Sequence, residues 1–309
     1  MIQAIPEPVI EADRVHHEVL RTVVFSRHLN PANASDAHRA FLTGSGQPPF
    51  RYEPLDKADD ILRQFDRVEP PRDHPAGELV ARRLDSTRLL IRALRDRTAQ
   101  AFHALAEALD WYPDPGVSEL NFPSFEGSRQ ALDVSASHLI QTLRDALAAR
   151  DLHQWQVVED RVMAARVLVD GAKKTLRVHP GARFRQRDLT RLVVHEIDVH
   201  ATRTANGEGQ PLCCFITGLP GSLATEEGLA MVSEEVAGVS TPGVLSRQVV
   251  VAEAILRARD VGFRDLYDEL VPRVGLGLAW SICLRVKRGL ADPGSPGVYA
   301  KDSVYLKGR

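Results

Sequence analysis

The sequence has 309 residues, of which 44% are hydrophobic and 26% are charged, a composition typical of a globular protein with a sizeable core. Lysine and arginine number 39 against 41 aspartates and glutamates, so the formal net charge is -2. This balance argues against a nucleic-acid or membrane-surface partner, and no apolar run approaches the ~20 residues of a membrane-spanning helix. Residues 1–7 lack the features of a signal peptide and three cysteines make no disulfide framework, so we expect a cytoplasmic protein.

The first half of the sequence predicts helices separated by short breaks. Apolar residues recur at helical spacing over 9–29, 35–41, 56–65, 76–109 and 134–149. The long segment 76–109 is either one bent helix or two helices with a joint at 96–98, and the arginines among its leucines indicate a solvated face rather than a ligand site. The stretch 121–126 is predicted to be irregular.

The periodicity changes after Leu152, where the sequence predicts strands. Val157-Val158 and the stretch 164–169 favour β-structure. Asp170-Gly171 is a hairpin turn signal, and 175–178 is the predicted return strand.

Helices are predicted again after Gly181. The first begins with Asp188 as its N-cap and ends at Asn206-Gly207, and a second contains the stretch Thr225–Ala230. Further helices are predicted over 244–260, 263–270 and 276–286, followed by a loop over 291–297.

The helix that follows the hairpin contains the motif H-E-x-x-x-H, formed by His195, Glu196 and His200. A histidine pair on one helix and an acid from the next is the usual way in which a protein builds a three-ligand catalytic zinc site. The next helix supplies Glu226 and Glu227. An edge strand beside such a site commonly holds an extended substrate by main-chain pairing, although a plain core hairpin fits the same pattern.

The five-residue interval between the histidines sets a geometric condition. In a regular α-helix five residues turn roughly 500°, which leaves ~140° between the two imidazoles. A one-residue π-bulge between Ile197 and Val199 restores a common face, and such bulges are frequent at functional sites. The alternative is a buried His195 and an exposed His200 that bind no metal.

The sequence resembles the tyrosine/phenylalanine carboxypeptidase domain family, formerly called the flavohaemoglobin-expression-modulating QEGLA-motif family, which includes the tubulin-detyrosinating MATCAP enzymes of animals. The resemblance extends from about residue 10 to the end of the chain. It is carried by Asn30–Asn33 with Phe41 and Pro49–Tyr52; by His195–His200 with Arg203, Asn206-Gly207, Gln210–Leu212 and Gly218-Leu219; by Glu226–Ala230; and by Arg285-Val-x-Arg288 with Lys301–Leu306.

The sequence departs from the family pattern in three places. Glu226 stands where the family's namesake motif has glutamine, which leaves open whether Glu226 or Glu227 is the third metal ligand. The stretch 290–297 resembles an insertion, and family members continue beyond the Lys-Asp-x-Val-Tyr-Leu stretch that lies near the end of this chain.

The resemblance implies an α+β, mainly helical fold. It implies a gluzincin-like zinc metallopeptidase core with a small β-sheet and a helical N-terminal half. One metallopeptidase-like domain is expected over 10–309, with a helical part over 1–150 and the metal-site part over 151–309. The implied function is a zinc-dependent metallocarboxypeptidase that hydrolyses a C-terminal peptide bond and releases tyrosine or phenylalanine. The implied substrate is a peptide or protein C-terminus, and the sequence does not specify the oligomeric state.

The chemistry of such a site assigns roles to individual residues. His195, His200 and Glu227 are the expected Zn²⁺ ligands, and Glu196 is the expected general base. Gly228, next to Glu227, is expected to leave room for the metal.

Three further residues are candidates for binding the substrate. These are Arg285, Lys301 and Tyr305, which supply a cation for a C-terminal carboxylate or a donor for an anionic intermediate. Arg203 and Arg288 are additional candidates, and a structural ion pair is the alternative role for each cation.

Glu234 is a candidate for orienting a ligand histidine, with a surface carboxylate as the alternative. The alternative function for the whole chain is a non-catalytic, metal-binding regulatory or interaction protein. The presence of Glu196 favours an enzyme, because a structural zinc needs no base and usually has a fourth ligand.

Overall fold

Helices form most of the protein, and two small β-sheets complete it. The computed structural model describes residues 4–44, 46–119 and 132–309. The helices are α1 (Glu7–Thr22), α2 (Phe25–Leu29), α3 (Ala34–Thr43), α4 (Ala58–Asp66), α5 (Pro75–Asp96), α6 (Ala99–Ala108), α7 (Ala136–Ala148), α8 (Gln186–Leu192), α9 (Thr202–Glu208), α10 (Cys214–Thr217), α11 (Ser222–Val236), α12 (Pro242–Ala258), α13 (Phe263–Val274), α14 (Leu276–Lys287) and α15 (Val304–Gly308). The strands are β1 (Val134–Ser135), β2 (Gln156–Glu159), β3 (Val167–Asp170), β4 (Thr175–Val178) and β5 (Arg183–Phe184).

Other helical geometries join some of these elements. A π-helical segment, Val193–Ala201, connects α8 to α9, and 3₁₀ turns occur at Pro115–Glu119, Gly171–Lys173 and Lys301–Ser303. This mainly helical content with small sheets agrees with the predicted α+β class. The stretch 121–126 lies outside the described residues. Across the described ranges, no helix combines the length and apolar character needed to cross a bilayer.

The helix predicted over 9–29 is divided at Val23, which adopts an extended conformation between α1 and α2. Lys173, from the turn after β3, donates its ammonium to backbone carbonyls at the end of α1. These include the carbonyl of Leu20 at 3.0 Å and that of Val23 at 3.1 Å. A residue that is distant in sequence therefore satisfies the terminal carbonyls, and local spacing gives no sign of this contact.

The predicted joint at 96–98 is confirmed. α5 ends at Asp96, and Arg97 takes the left-handed conformation with φ 53°. Thr98 then caps α6, because its hydroxyl accepts the N–H of Ala101 at 3.2 Å.

Three strands form the larger sheet in the order β2-β4-β3. β3 and β4 pair antiparallel, with Val167 opposite Val178, which confirms the predicted hairpin. β2 pairs parallel with β4, so β4 is the central strand, and all of its residues are buried. β1 and β5 form a separate antiparallel pair, so Val134-Ser135, predicted as the start of a helix, is a strand that precedes α7.

Among the described residues, two large hydrophobic cores and one small cluster around Val249 support these elements. The larger core packs α1, α4, α5 and α6 against α12, α13 and α14, with Val9, Leu84 and Ile282 fully buried. The second core packs α7 and the three-stranded sheet against α8 and the π-helical segment, with Leu139 and Ile197 fully buried. The division at residue 150 that the sequence suggested stays a prediction.

Helices α11 and α15 pack closely at Gly228. A Cβ at this position in α11 would lie 2.0 Å from the carbonyl oxygen of Gly308 in α15. A Cβ on Gly308 would in turn lie 1.7 Å from the carbonyl oxygen of Ala224. The missing side chain of Gly228 therefore leaves room for α15, a packing role that the sequence did not indicate, and the expected room for a metal stays a prediction.

We expect Gly228→Ala to destabilise the protein by about 1–3 kcal/mol, the typical cost of overpacking. The matched control is Gly277→Ala in α14, where no atom lies within 4 Å of the added Cβ. This control should be neutral or stabilise the fold by up to about 1 kcal/mol, because alanine favours a helix more than glycine does. Urea unfolding measures both, and equal stability of the two variants would contradict the packing role.

Candidate metal centre

The π-helical segment Val193–Ala201 carries both histidines of the motif. Its hydrogen bonds run from residue i to i+5, as in the bond from the N–H of Thr202 to the carbonyl of Ile197. The Thr202 hydroxyl donates to the same carbonyl at 3.0 Å. The predicted departure from α-helical geometry is therefore confirmed, and it extends over nine residues rather than one.

The flanking helices differ from prediction at their ends. Arg185 is the N-cap of α8, and Asp188 lies inside the helix, where its carboxylate accepts the N–H of Arg185 at 3.1 Å. α9 continues to Glu208, beyond the predicted end at Asn206-Gly207. A Cβ on Gly207 would lie 2.3 Å from the carbonyl oxygen of Phe215, so this glycine allows α9 and α10 to pack closely.

Three side chains converge where the π-helical segment faces α11. The Nε2 atom of His195 lies 3.3 Å from Oε2 of Glu227, and the Nε2 atom of His200 lies 3.6 Å from the same oxygen. The ligand atoms of the three residues lie within 4.8 Å of one another, and all three residues are buried. Within the described part of the chain, this Glu227 oxygen is buried without a hydrogen-bond partner.

The outer nitrogen of each imidazole faces a second carboxylate. The Nδ1 atom of His195 lies 2.8 Å from Oε1 of Glu234, and the Nδ1 atom of His200 lies 2.8 Å from Oε1 of Glu226. A carboxylate only accepts hydrogen bonds, so each Nδ1 carries the proton, and a neutral imidazole then presents a bare lone pair at Nε2.

These contacts separate the roles of the two adjacent glutamates. Glu226 contacts the Nδ1 atom of His200, whereas Glu227 lies close to the Nε2 atoms of both histidines. Two imidazole nitrogens and one carboxylate, each imidazole supported by a further carboxylate, are a donor set that fits catalytic zinc.

The charges of the metal-free site are strongly coupled. Burial lowers the pKa of His195, but the carboxylates of Glu227 and Glu234 outweigh burial and raise the pKa to about 9. Burial likewise lowers the pKa of His200, and Glu226 with Glu227 raises it to about 10. Burial raises the pKa of Glu227, yet the two imidazoles hold it well below its ordinary value. A metal ion that binds here must displace protons from both histidines.

Glu196 and Tyr305 lie beside this cluster. Glu196 is buried, and its charge contributes to raising the pKa of both motif histidines. The ring of Tyr305 stacks on that of His195, with 6.5 Å between their centroids. Burial and the Glu227 carboxylate raise the pKa of Tyr305 well above its ordinary value, so the phenol stays protonated.

The arginines of the C-terminal region are paired with Asp302. The Nε atom of Arg285 donates to Oδ2 of Asp302 at 2.5 Å, and the Nη2 atom of Arg288 lies 3.5 Å from Oδ1. Burial raises the pKa of Asp302, but the two arginines outweigh burial and lower it to about 2. Arg288 is thus a structural ion-pair partner, and the charge of Arg285 is largely compensated.

Lys301 differs from these arginines. Among the residues that the structure describes, no carboxylate oxygen is recorded within 4.0 Å of its ammonium. Burial lowers the pKa of Lys301, and the carboxylates of Glu227 and Asp302 oppose that effect. Lys301 therefore lies close enough to Glu227 to interact with its carboxylate. Within the described residues, no direct ion pair neutralises the charge of the Lys301 ammonium.

Comparison with known proteins identifies a matching family. A family model described as microtubule-associated tyrosine carboxypeptidase matches residues 42–309. The chain belongs to this family. The resemblance seen in the sequence is therefore confirmed, and the match includes the π-helical segment, α11 and α15.

Individual relatives match over a shorter range. Microtubule-associated tyrosine carboxypeptidase 1 of Mus musculus is 35% identical over 159 residues, which are 50% of this chain and 33% of the relative. The protein of the same name from Homo sapiens gives the same identity and coverage, and that from Rattus norvegicus is 34% identical. The matched region thus spans 33% of the length of these relatives.

Sequence reasoning missed two residues of the site. Arg191 donates to Glu234 at 2.9 Å, although it lay unassigned within the motif helix. Asp302 lies in the stretch Lys301–Leu306, but the sequence alone assigned it no role. Its signal in the sequence was an isolated acid in an apolar stretch, because a buried carboxylate needs cationic or hydrogen-bonding partners. Arg203, a candidate donor for substrate, instead binds Glu226 at 3.1 Å.

The assignment of the third ligand can be tested with two adjacent substitutions. We expect Glu227→Gln to lose bound zinc, because the amide removes the anionic ligand. Glu226→Gln should keep one zinc per chain, because the amide oxygen still accepts from Nδ1 of His200. Metal analysis of both purified variants measures this, and zinc loss in the Glu226 variant alone would exchange the two roles.

Proposed function

We propose that the chain is a zinc-dependent carboxypeptidase. The convergence of His195, His200 and Glu227, with Glu196 adjacent in the same segment, carries this proposal. Family membership supports it, because the relatives are named tyrosine carboxypeptidases. The proposed substrate is the C-terminus of a peptide or protein, and the leaving residue is tyrosine or phenylalanine.

His195, His200 and Glu227 would hold the zinc ion. Bound there, zinc would supply Lewis-acid polarisation of the scissile carbonyl and make the attacking water more acidic. Glu196 accepts a proton from this water and delivers it to the nitrogen of the leaving amine as the peptide bond breaks. The protonated phenol of Tyr305 is the proposed donor to the oxygen of the scissile carbonyl as it becomes anionic.

The free carboxylate of the substrate requires a cation near the metal cluster. We assign this role to Lys301, because Arg285 and Arg288 both bind Asp302, whereas no carboxylate partner of the Lys301 ammonium is recorded among the described residues. We propose that Arg285 instead supports Tyr305, because the two side chains lie close enough to interact electrostatically. This division gives the three candidate residues distinct functions: one cation binds the carboxylate, one phenol donates to the oxyanion, and one arginine positions the phenol.

A gluzincin-like core is part of the same proposal. Two histidines from one helical segment and a glutamate from the following long helix, α11, support it. The hairpin of β3 and β4 precedes the motif, and β3 is an edge strand that packs against the π-helical segment. We propose that β3 pairs with the main chain of an extended substrate.

Replacing the proposed base should separate binding from catalysis. We expect Glu196→Gln to retain zinc and its fold but to lose turnover by a factor of ~10² or more. The matched control is Asp198→Asn in the same segment, whose side chain pairs with Arg150 at the outer surface. Peptide hydrolysis assays measure this, and normal turnover in the Glu196 variant would assign the base elsewhere.

A pair of peptides tests whether the enzyme recognises a free C-terminus. We expect cleavage of a peptide ending in free tyrosine and no cleavage of the same peptide with an amidated end, because Lys301 needs a carboxylate partner. Lys301→Met should raise the KM for the free acid by about 10- to 100-fold, the cost of a charge-assisted hydrogen bond. Equal cleavage of both peptides would indicate an endopeptidase, and cleavage of neither by the zinc-loaded protein would favour the regulatory alternative.

A further inference from the structure

His195 and His200 each contact a glutamate through Nδ1, and each of these glutamates is also bound by an arginine. Oε1 of Glu234 lies 2.8 Å from Nδ1 of His195 and 2.9 Å from Nη1 of Arg191. On the other side, Oε1 of Glu226 lies 2.8 Å from Nδ1 of His200 and 3.1 Å from Nε of Arg203. In both cases one carboxylate oxygen is shared between a histidine and an arginine.

The two arrangements of arginine, glutamate and histidine are built in the same way. Both glutamates come from α11, whereas both arginines and both histidines come from the continuous helical run of α8, the π-helical segment and α9. Arg191 precedes His195 by four residues, and Arg203 follows His200 by three. Each arginine is thus within about one helical turn of its histidine, and both side chains reach the same glutamate.

We propose that Arg191 and Arg203 are positioning residues for the metal ligands. They act through Glu234 and Glu226, which they hold in the orientation that accepts Nδ1–H of each histidine. Both Nε2 lone pairs then point to Glu227 and to the metal position. This inference rests on the proposed zinc site, and it extends that site to two residues that touch neither metal nor substrate.

The arginines are themselves fixed. Nη1 of Arg203 donates to the carbonyl of Phe215 at 3.0 Å and to that of Ile216 at 2.7 Å, at α10. Nε of Arg191 lies 3.7 Å from Oδ1 of Asp188, whose carboxylate also accepts the N–H of the N-cap residue Arg185. A glutamate side chain has three rotatable bonds, and a fixed guanidinium restricts its carboxylate more than a histidine alone does.

Charge balance gives a second reason for the arginines. Four carboxylates, those of Glu196, Glu226, Glu227 and Glu234, surround the two imidazoles. A divalent ion and two guanidinium groups supply four positive charges. Without the arginines, the outer carboxylates would lie near the metal with only half of the total charge compensated, which is costly in a buried site.

A merely structural role for Arg203 is the competing explanation, because its bonds to Phe215 and Ile216 also join α9 to α10. A double-mutant cycle separates the two roles. The variants are Arg203→Ala, Glu226→Ala and their combination, and the readout is zinc affinity from chelator competition. Thermal stability of the metal-free proteins is measured in parallel.

We expect each single substitution to weaken zinc binding by about 10- to 100-fold, the usual effect of removing support from a metal-bound histidine. The double variant should bind zinc no more weakly than the weaker single variant, because Arg203 acts through Glu226. Effects that multiply, or a loss of stability without a loss of zinc affinity, would overturn the proposal. The pair Arg191 and Glu234 is tested in the same way with the same expected result.

Arg150→Ala is the matched control. Arg150 also forms an ion pair with the π-helical segment, through Asp198, but this pair lies at the outer surface. Zinc affinity should not change in this variant. If Arg203→Ala fails to fold, Arg203→Lys replaces it in the cycle, since lysine keeps the charge but lacks the fork that joins Glu226 to two carbonyls.

The outcome for the wild-type protein separates the two proposals. Absence of zinc binding by the wild-type chain would remove the proposed function together with this inference. Tight zinc binding with independent effects of Arg203 and Glu226 would overturn the positioning role alone.

Discussion

The interval of five residues between His195 and His200 is the constraint on which the site depends. Two imidazoles meet at one point only if the helix between them is wound with i to i+5 hydrogen bonds. Such winding is rare, so the surrounding structure must favour it. Ile197 and Ala201 are fully buried in the second core, and Thr202 donates to the Ile197 carbonyl through both its amide and its hydroxyl. Core packing and local hydrogen bonding thus maintain the geometry that the histidines need.

The other half of the site comes from a single helix, α11. Glu227 and Glu234 are seven residues apart, which is two helical turns, so both face the π-helical segment. Glu226 is rotated by one position and reaches the outer side of His200. Gly228, one position further, faces α15, and this close contact brings Tyr305 against the ring of His195. The different roles of Glu226, Glu227 and Gly228, three consecutive residues, therefore follow from the rotation of about 100° per residue.

Features that depend on local spacing were predictable from the sequence. The π geometry followed from the interval between the histidines, and the orienting role of Glu234 followed from its distance along α11. The roles of Gly228 and Arg203 were not predictable, because they depend on the docking of α15 and α10. The break in the first helix also escaped prediction, because the Lys173 ammonium that binds the carbonyls there comes from 150 residues away. Local periodicity determines where helices form, whereas contacts between distant segments determine how they end.

The C-terminal region has an excess of positive charge close to His195, His200 and Glu227. Asp302 neutralises one charge, yet Arg285 and Arg288 both bind it, and Lys301 lies next to it in the sequence. A buried region with three cations and one anion is electrostatically unfavourable unless another anion binds there. The Glu227 carboxylate offsets part of this charge in the metal-free site, since it acts directly on Lys301. Under the proposed function, a divalent cation bound to Glu227 would remove that compensation, and the region would favour an incoming carboxylate. Metal binding and affinity for an anionic substrate end would then be electrostatically coupled through Glu227.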